Sequence, residues 1–345
     1  MIHLSNSIFK SFLSCPARTM AMYKGRITGD PDFVPTFVQD GSKVMAAGSL
    51  VDAMATKGFK PDIDEDVAPE DFYGFLKSSY DDGMKSATLL CNKSTKTKKG
   101  GWNADAKTAI RSAERLMADP VAKDLIDRSE KQVRISFMLD EETRWEGDLD
   151  FICMEDRVLR ITDLKAPGAI EKGGWIKSGG RNVKVNWQDS WSYWFQLSGY
   201  RYAFTNMLNN DIKNTLVNGV PLADTKYSEC LTIDTGLLVT TREKIPWVGY
   251  IPIPDYSNVW KNIVKGRHVN EFSGEIEPSN LEYIKNAVKR KNPISVCDDI
   301  TCPYCNPLRR VELSESFSDD GITPAIDDIY GYLEINNDNI YADEY

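Results

Sequence analysis

Three stretches in the middle of the chain, Gln132 to Leu139, Arg144 to Cys153 and Val158 to Leu164, alternate apolar and polar residues with a period of two. Successive side chains of a strand point to opposite faces, so this pattern predicts three neighbouring strands, each with one face turned to a core. The flanking segments have the other period. Ala104 to Met117, Val121 to Ser129, the run from Trp187 to Phe204 and Asn258 to Arg267 repeat apolar residues every three or four positions, as do parts of residues 1–60, and all of these predict helices. Ser228 to Ile253 returns to β-type sequence. Helices interleaved with strands in this order point to an α/β protein, a mixed β-sheet flanked by helices. Between these elements lie an acidic, Pro-containing insertion at 61–84, a basic loop at 92–103, and a Gly-rich segment from Gly168 to Gly180. That last segment, which contains Trp175, has the turn residues of a mobile loop over a groove.

The predicted strands carry chemistry. Alternation sets Asp163 and Lys165 on one face while Leu164 turns to the core, and Asp150 closes the strand before them. Two carboxylates and an amine can then converge. Carboxylates bind Mg²⁺ or Mn²⁺, and an amine beside them can steady a nucleophile or a scissile phosphate, which is the equipment of metal-assisted phosphodiester hydrolysis. An acid-x-Lys is common on strands and, taken alone, reads as a solvated strand edge. In the helix from Trp187 to Phe204, Gln196 and Tyr200 stand one turn apart on one face. Taken alone, that helix is an aromatic core element with a buried glutamine.

Asp150, then Asp163-x-Lys165, then Gln196-x-x-x-Tyr200, in this order, resemble the PD-(D/E)xK nuclease superfamily, and in particular its RecB-like branch. The resemblance implies a restriction-endonuclease-like core. It also implies that Asp150 and Asp163 bind the divalent ion, that Lys165 positions water or stabilises the phosphate, and that Gln196 and Tyr200 order the catalytic groups and the DNA strand. The segment from Leu4 to Cys15-Pro16 resembles the amino-terminal segment of RecB-like, AddB-like and CRISPR-associated exonucleases. Ala46 to Met54 resembles their Gly-x-x-x-His helix, whose histidine is a metal ligand. Here Gly48 is followed at the histidine place by Asp52, an acceptable hard-cation ligand whose alternative is an ordinary exposed helix acid. Lys93 to Trp102 and the helix after it are similar to RecE-type phage exonucleases. The resemblance spans about residues 1 to 310. It implies an exonuclease that resects DNA ends in phage-type recombination or repair, in a family whose relatives form homo-oligomeric rings. Two other readings stay open: a CRISPR-associated-type single-strand nuclease, and a non-catalytic DNA-binding or assembly subunit, for which Asp52 in place of histidine is the favourable feature.

The 345 residues suffice for one elaborated nuclease domain, 1–311, followed by an acidic, flexible tail, 312–345. A net charge of −9 argues against a nucleic-acid partner until it is divided: ten acids and no Lys or Arg fall within that tail, so the remainder carries about +1. Such a body can hold a basic groove for DNA. Candidate phosphate contacts are Lys93, Lys96, Lys98, Lys99, Lys177, Arg181, Lys184, Arg201, Lys289, Arg290 and Lys291. The tail, with Ile326, Ile329, Tyr330 and Leu333 among its acids, suits docking to a recombination partner protein. No apolar run reaches membrane-spanning length, and the expected compartment is the cytoplasm of a bacterium or a phage-infected host cell.

Seven cysteines in a cytosolic chain argue for metal or reduced thiols rather than disulfides. Cys297, Cys302 and Cys305 crowd together near the carboxyl end. In the AddB-like and CRISPR-associated exonucleases an early cysteine joins three late ones around a [4Fe-4S] cluster, and Cys15 stands at the matching place. The late gaps run in the reverse order here, which leaves Zn²⁺ and free thiols open beside iron–sulfur. Cys91, Cys153 and Cys230 read as small core residues. Neither histidine, His3 or His268, lies near a motif, and no Walker-type phosphate loop is present.

Overall fold

The computed structural model describes residues 1–36, 43–63, 72, 85, 87–92, 101–167, 175–178, 181–184, 191–208, 215–269, 276–290, 297, 302 and 304–305. The chain starts with a short strand, β1 (Ile2–Leu4), then α1 (Asn6–Ser14) and α2 (Pro16–Thr28). Local chemistry sets these limits. Ser5 accepts the Ile8 N–H as the cap of α1, and Cys15 ends α1 and caps α2 through its sulfur, with Pro16 at the first helical position. Gly29, at φ 69°, closes α2 in the left-handed conformation that costs glycine least. Next come α3 (Lys43–Lys57), α4 (Ala104–Ala118) and α5 (Pro120–Arg128), the last two capped by the side chains of Asn103 and Asp119.

Three long strands follow as the alternation predicts: β2 (Glu130–Met138), β3 (Thr143–Glu155) and β4 (Val158–Lys165). The Gly-rich segment read as a loop contains a small hairpin, β5 (Trp175–Ser178) with β6 (Arg181–Lys184). The Gln-Tyr helix, α6 (Trp191–Leu208), is followed by β7 (Leu216–Val217), β8 (Val220–Pro221), β9 (Thr232–Thr240) and β10 (Val248–Ile253). The chain continues through α7 (Ser257–Lys265), the pair β11 (His268–Val269) and β12 (Ile276–Glu277), and α8 (Asn280–Lys289). The basic loop from Lys93 to Lys99, Lys291, most of the 61–84 insertion and the tail 312–345 lie outside the described residues.

Among the described residues the main sheet has eight strands, in the order β10-β9-β4-β3-β2-β7-β8, with β1 beside β3. It is mixed: β3 and β4 pair antiparallel, while β4 and β9 pair parallel from Val158 with Thr232 to Lys165 with Val239. This is the restriction-endonuclease-like α/β architecture. By contact the chain divides into two units. The first comprises Met1–Val38, Met138–Glu146 and Val259–Tyr345; inside it Trp145, fully buried, meets Phe9 and Trp260. The second comprises Gln39–Phe137 and Gly147–Asn258. Its core joins Leu50, Val51 and Met54 of α3 to Ile110, Ala113 and Leu116 of α4, and these to Phe151 on β3, Leu164 on β4 and Leu238 on β9. Leu164 thus anchors the end of β4 in apolar packing, which turns its neighbours Asp163 and Lys165 to the other face.

Candidate active site and thiolate site

Within the second unit, the ladder that pairs Phe151 with Thr162 puts Asp150 and Asp163 next along two adjacent strands. Asp150 is fixed by the backbone: its Oδ2 accepts the Leu164 N–H at 2.8 Å. Asp163 is 4% exposed, and Lys165 Nζ lies 2.6 Å from its Oδ2. The two form a close ion pair, with the ammonium against an otherwise buried carboxylate oxygen. The Lys165 ammonium also stands over the Tyr193 ring, 5.8 Å from its centre. Two adjacent strands therefore bring an acid, an acid and an amine together.

Helices complete the arrangement. Gln196 of α6 donates from Nε2 to Asp163 Oδ1 at 3.2 Å. Tyr200, one turn on, is buried, and its hydroxyl donates to the Asp148 carbonyl at 3.2 Å. The Tyr200 ring presses on Gly147 so closely that a Cβ there would meet Cε1 at 2.8 Å. Asp52 of α3 joins through a residue that alternation does not single out. Gln132 donates from Nε2 both to Asp52 Oδ1 at 3.1 Å and to Asp150 Oδ1 at 3.3 Å. Between Lys131 and Val133 at the start of a predicted strand, Gln132 carries no signal in sequence of its left-handed backbone, φ 56°.

Burial pushes the Asp150 carboxyl well above the usual carboxylate range, reinforced by the charges of Asp163 and Asp52. Burial alone would lower the Lys165 ammonium, but Asp163 and Asp150 outweigh it and hold the amine protonated above its ordinary range. Burial likewise raises the Tyr200 phenol, which stays neutral and acts as a donor. Three carboxylates, Asp52, Asp150 and Asp163, gather around one lysine, and Gln132 Oε1 adds a buried oxygen without a hydrogen-bond partner. Hard oxygen donors with surplus negative charge fit a divalent cation such as Mg²⁺.

A second constellation lies in the first unit. The sulfurs of Cys15, Cys297, Cys302 and Cys305 all lie within 4.8 Å of one another. Cys15 Sγ is 3.4 Å from that of Cys305 and 3.6 Å from that of Cys302. Backbone N–H groups point at the sulfurs: Arg18 to Cys15 at 3.3 Å, Cys297 to Cys305 at 3.4 Å and Cys305 to Cys302 at 3.5 Å. Burial raises the Cys15 and Cys305 thiols, whereas at Cys302 the backbone N–H groups of Cys305 and Tyr304 outweigh burial and lower it. Four sulfurs at this spacing, with amide donors to them, form a donor set suited to a metal ion. Of the other cysteines, Cys153 and Cys230 are buried and Cys91 is half-buried.

The proposed phosphate contacts are less uniform. Arg201 pairs with Asp255 at 3.1 Å and Lys289 with Glu142 at 3.1 Å, so both already hold a carboxylate. Lys177, Arg181 and Lys184 fall on β5 and β6, of which the backbone alone is described. Lys93, Lys96, Lys98, Lys99 and Lys291 lie outside the described residues.

Among solved structures, a crystal structure of a "Putative exonuclease" from Eubacterium rectale has a similar fold: TM-score 0.54, 17% identity, 88% of this chain and 87% of that one covered. No curated protein matches the chain. Residues 5–245 match the family described as "PDDEXK-like domain of unknown function (DUF3799)". A match over that much of the chain places it: the protein belongs to this family, and so to the PD-(D/E)xK nuclease superfamily.

Proposed function

We propose that the protein is a metal-dependent deoxyribonuclease, an exonuclease of RecB/RecE-like type that resects DNA ends in phage-type recombination or repair. The observation that carries this reading is the junction of Asp150 with Asp163 and Lys165, the acid and acid-x-Lys pattern on adjacent strands of a PDDEXK-like domain. Asp150 and Asp163 would hold Mg²⁺ or Mn²⁺, with Asp52 an additional ligand. When bound, the ion supplies a Lewis acid that lowers the pKa of water and neutralises charge on the phosphate.

The chain's own groups do the rest. Lys165, kept protonated by its acids, places a positive charge where the phosphoryl oxygens gain negative charge. Gln196 fixes the plane of the Asp163 carboxylate, so that one oxygen stays turned toward Lys165. Tyr200 holds the Asp148 carbonyl and so the strand segment that presents Asp150. DNA would be bound by the near-neutral body, residues 1–311, while the acidic tail 312–345 would dock a recombination partner. No helix among the described residues is long and apolar enough to cross a membrane. We assign the protein to the cytoplasm and expect a homo-oligomer.

The four-cysteine site favours a second reading, a CRISPR-associated-type nuclease that trims single strands, with a [4Fe-4S] cluster or Zn²⁺ between Cys15, Cys297, Cys302 and Cys305. One experiment separates these. Linear and circular DNA, labelled at a chosen end, is incubated with the protein plus Mg²⁺ or chelator. Stepwise loss from linear duplex ends, abolished by chelator, is expected. Cleavage of overhangs only supports the second reading, and binding without cleavage supports a non-catalytic subunit.

A further inference from the structure

Gln132 is the least expected member of the carboxylate cluster. A divalent ion shared by Asp52 and Asp150 would have to sit between their oxygens, and the Gln132 amide nitrogen sits there instead, 3.1 Å from one and 3.3 Å from the other. The other end of the same amide, Oε1, is buried and accepts no hydrogen bond. Leaving a buried acceptor unpaired costs about 1–3 kcal/mol. The orientation follows from its partners: the nitrogen donates to both acids, where the oxygen would face two acceptors. The backbone is unusual as well. Gln132 is a non-glycine residue at φ 56° within β2, a conformation that strands rarely hold and that re-aims a side chain as a bulge does. This backbone, at the residue that bridges two acids, sets where the side chain points.

We propose that Gln132 is a switchable ligand of the metal site: its amide nitrogen holds Asp52 and Asp150 together in the metal-free protein, and on metal binding the amide turns over so that Oε1 becomes a ligand. An amide oxygen is a hard donor of the kind such ions accept. A glutamine suits both states where a glutamate would not, since a further carboxylate in the metal-free site would repel Asp52 and Asp150, whereas the amide donates to them. This assignment rests on the proposed metal-dependent site, and it also explains how Asp52, on a separate helix, is held in that site at all.

The test is Mn²⁺ binding to the full-length protein, followed by electron paramagnetic resonance, together with melting temperature with and without Mn²⁺. Asp150→Asn identifies which bound Mn²⁺ belongs to this site. Gln132→Met, which keeps the length but has no N–H donor and no hard oxygen, should weaken binding roughly 10- to 100-fold, in the range of changes at metal-site partners. Gln132→Glu should lower the melting temperature without metal, bind Mn²⁺ at least as tightly as the native protein, and regain its stability when loaded. If Gln132→Glu loses affinity as far as Gln132→Met, the residue acts only as a hydrogen-bond donor and the ligand role is overturned. If Gln132→Met binds as the native protein does, the proposal also fails while the metal-dependent reading stands. Absence of any Mn²⁺ binding by the native protein overturns that reading itself.

Discussion

Gln196 donates to the oxygen of Asp163 opposite the one that faces Lys165, at 3.2 Å against 2.6 Å for the ammonium. The carboxylate is thus held from two sides by groups on different elements, α6 and β4. Replacing Gln196 by Glu puts like charges in contact. Cleavage should fall about 10- to 100-fold through loss of metal affinity, a magnitude typical of partners that orient a ligand. Raising Mg²⁺ should recover part of the rate. A rate loss that Mg²⁺ does not relieve would instead place Gln196 in contact with the DNA.

Asp163→Ala and Lys165→Ala should each reduce Mg²⁺-dependent cleavage about 10²- to 10³-fold or more, the cost of removing one preorganised electrostatic group. DNA binding should persist, because each change removes a charge from the site rather than apolar packing. Asp150→Asn keeps the Leu164 hydrogen bond available but not the charge, and should be nearly as severe. End-labelled DNA assays under single-turnover conditions check all three. Near-normal turnover in any of them would sink the assignment of roles.

How much of this could be read from the residues depends on whether the signal is periodic. Asp163, Leu164 and Lys165 alternate on a strand and Gln196 and Tyr200 are spaced by one helical turn, so their faces follow from backbone geometry alone. Gln132 does not, because its role depends on a left-handed φ and on two partners from other elements. β1 was too short for any period and reads as part of the amino-terminal helices; it forms because it pairs parallel with Thr143 to Trp145 of β3. The β5–β6 hairpin was hidden by glycines that suggest a loop. The helix α8 did leave a mark, since Ser279 and Glu282 are a capping box ahead of Leu281, Ile284 and Ala287 at helical spacing. The reversed order of cysteine gaps is no bar to convergence, because it constrains the local loop and not the place of Cys15.

The Tyr200 ring leaves no room for a Cβ at Gly147. Gly147→Ala must therefore displace the ring or the strand, and should destabilise by about 1–3 kcal/mol, as overpacking of a buried site does. Tyr200→Phe keeps the ring and loses the bond to the Asp148 carbonyl, costing about 1 kcal/mol. Denaturant melts of the two variants should separate the effects. If the phenol did more than hold the strand, Tyr200→Phe would lose far more activity than stability.

The four sulfurs within 4.8 Å of one another should carry a metal in protein purified without oxygen. Elemental analysis is expected to give either about four iron atoms or about one zinc per chain, by the stoichiometry of the two site types. Cys302→Ser should abolish that metal and lower the melting temperature by several degrees, because the site ties Cys15 to residues almost three hundred positions away in the chain. Finding neither iron nor zinc, with Cys302→Ser harmless, would leave four reduced thiols.

Glu282 gives a pH dependence with a definite sign. Its carboxyl is lowered from 4.5 to about 2, chiefly by the hydrogen bond from Arg267 and then by the Ser279 N–H of the capping box. A carboxylate whose pKa is depressed on folding contributes stability that is complete above its unfolded value, and the contribution disappears as pH falls toward the folded value. Its window is therefore from about 4.5 down to about 2. Glu282→Gln keeps an acceptor for Ser279 and removes the charge that Arg267 meets, so native and variant melting temperatures should differ at pH 6 and draw together as pH drops through that window. Because the Arg267 pair is exposed, 0.5 M salt should shrink the difference at pH 6 as well. A gap that stays constant from pH 6 to pH 3 would mean that the capping hydrogen bonds, and not the charge, account for the stabilisation.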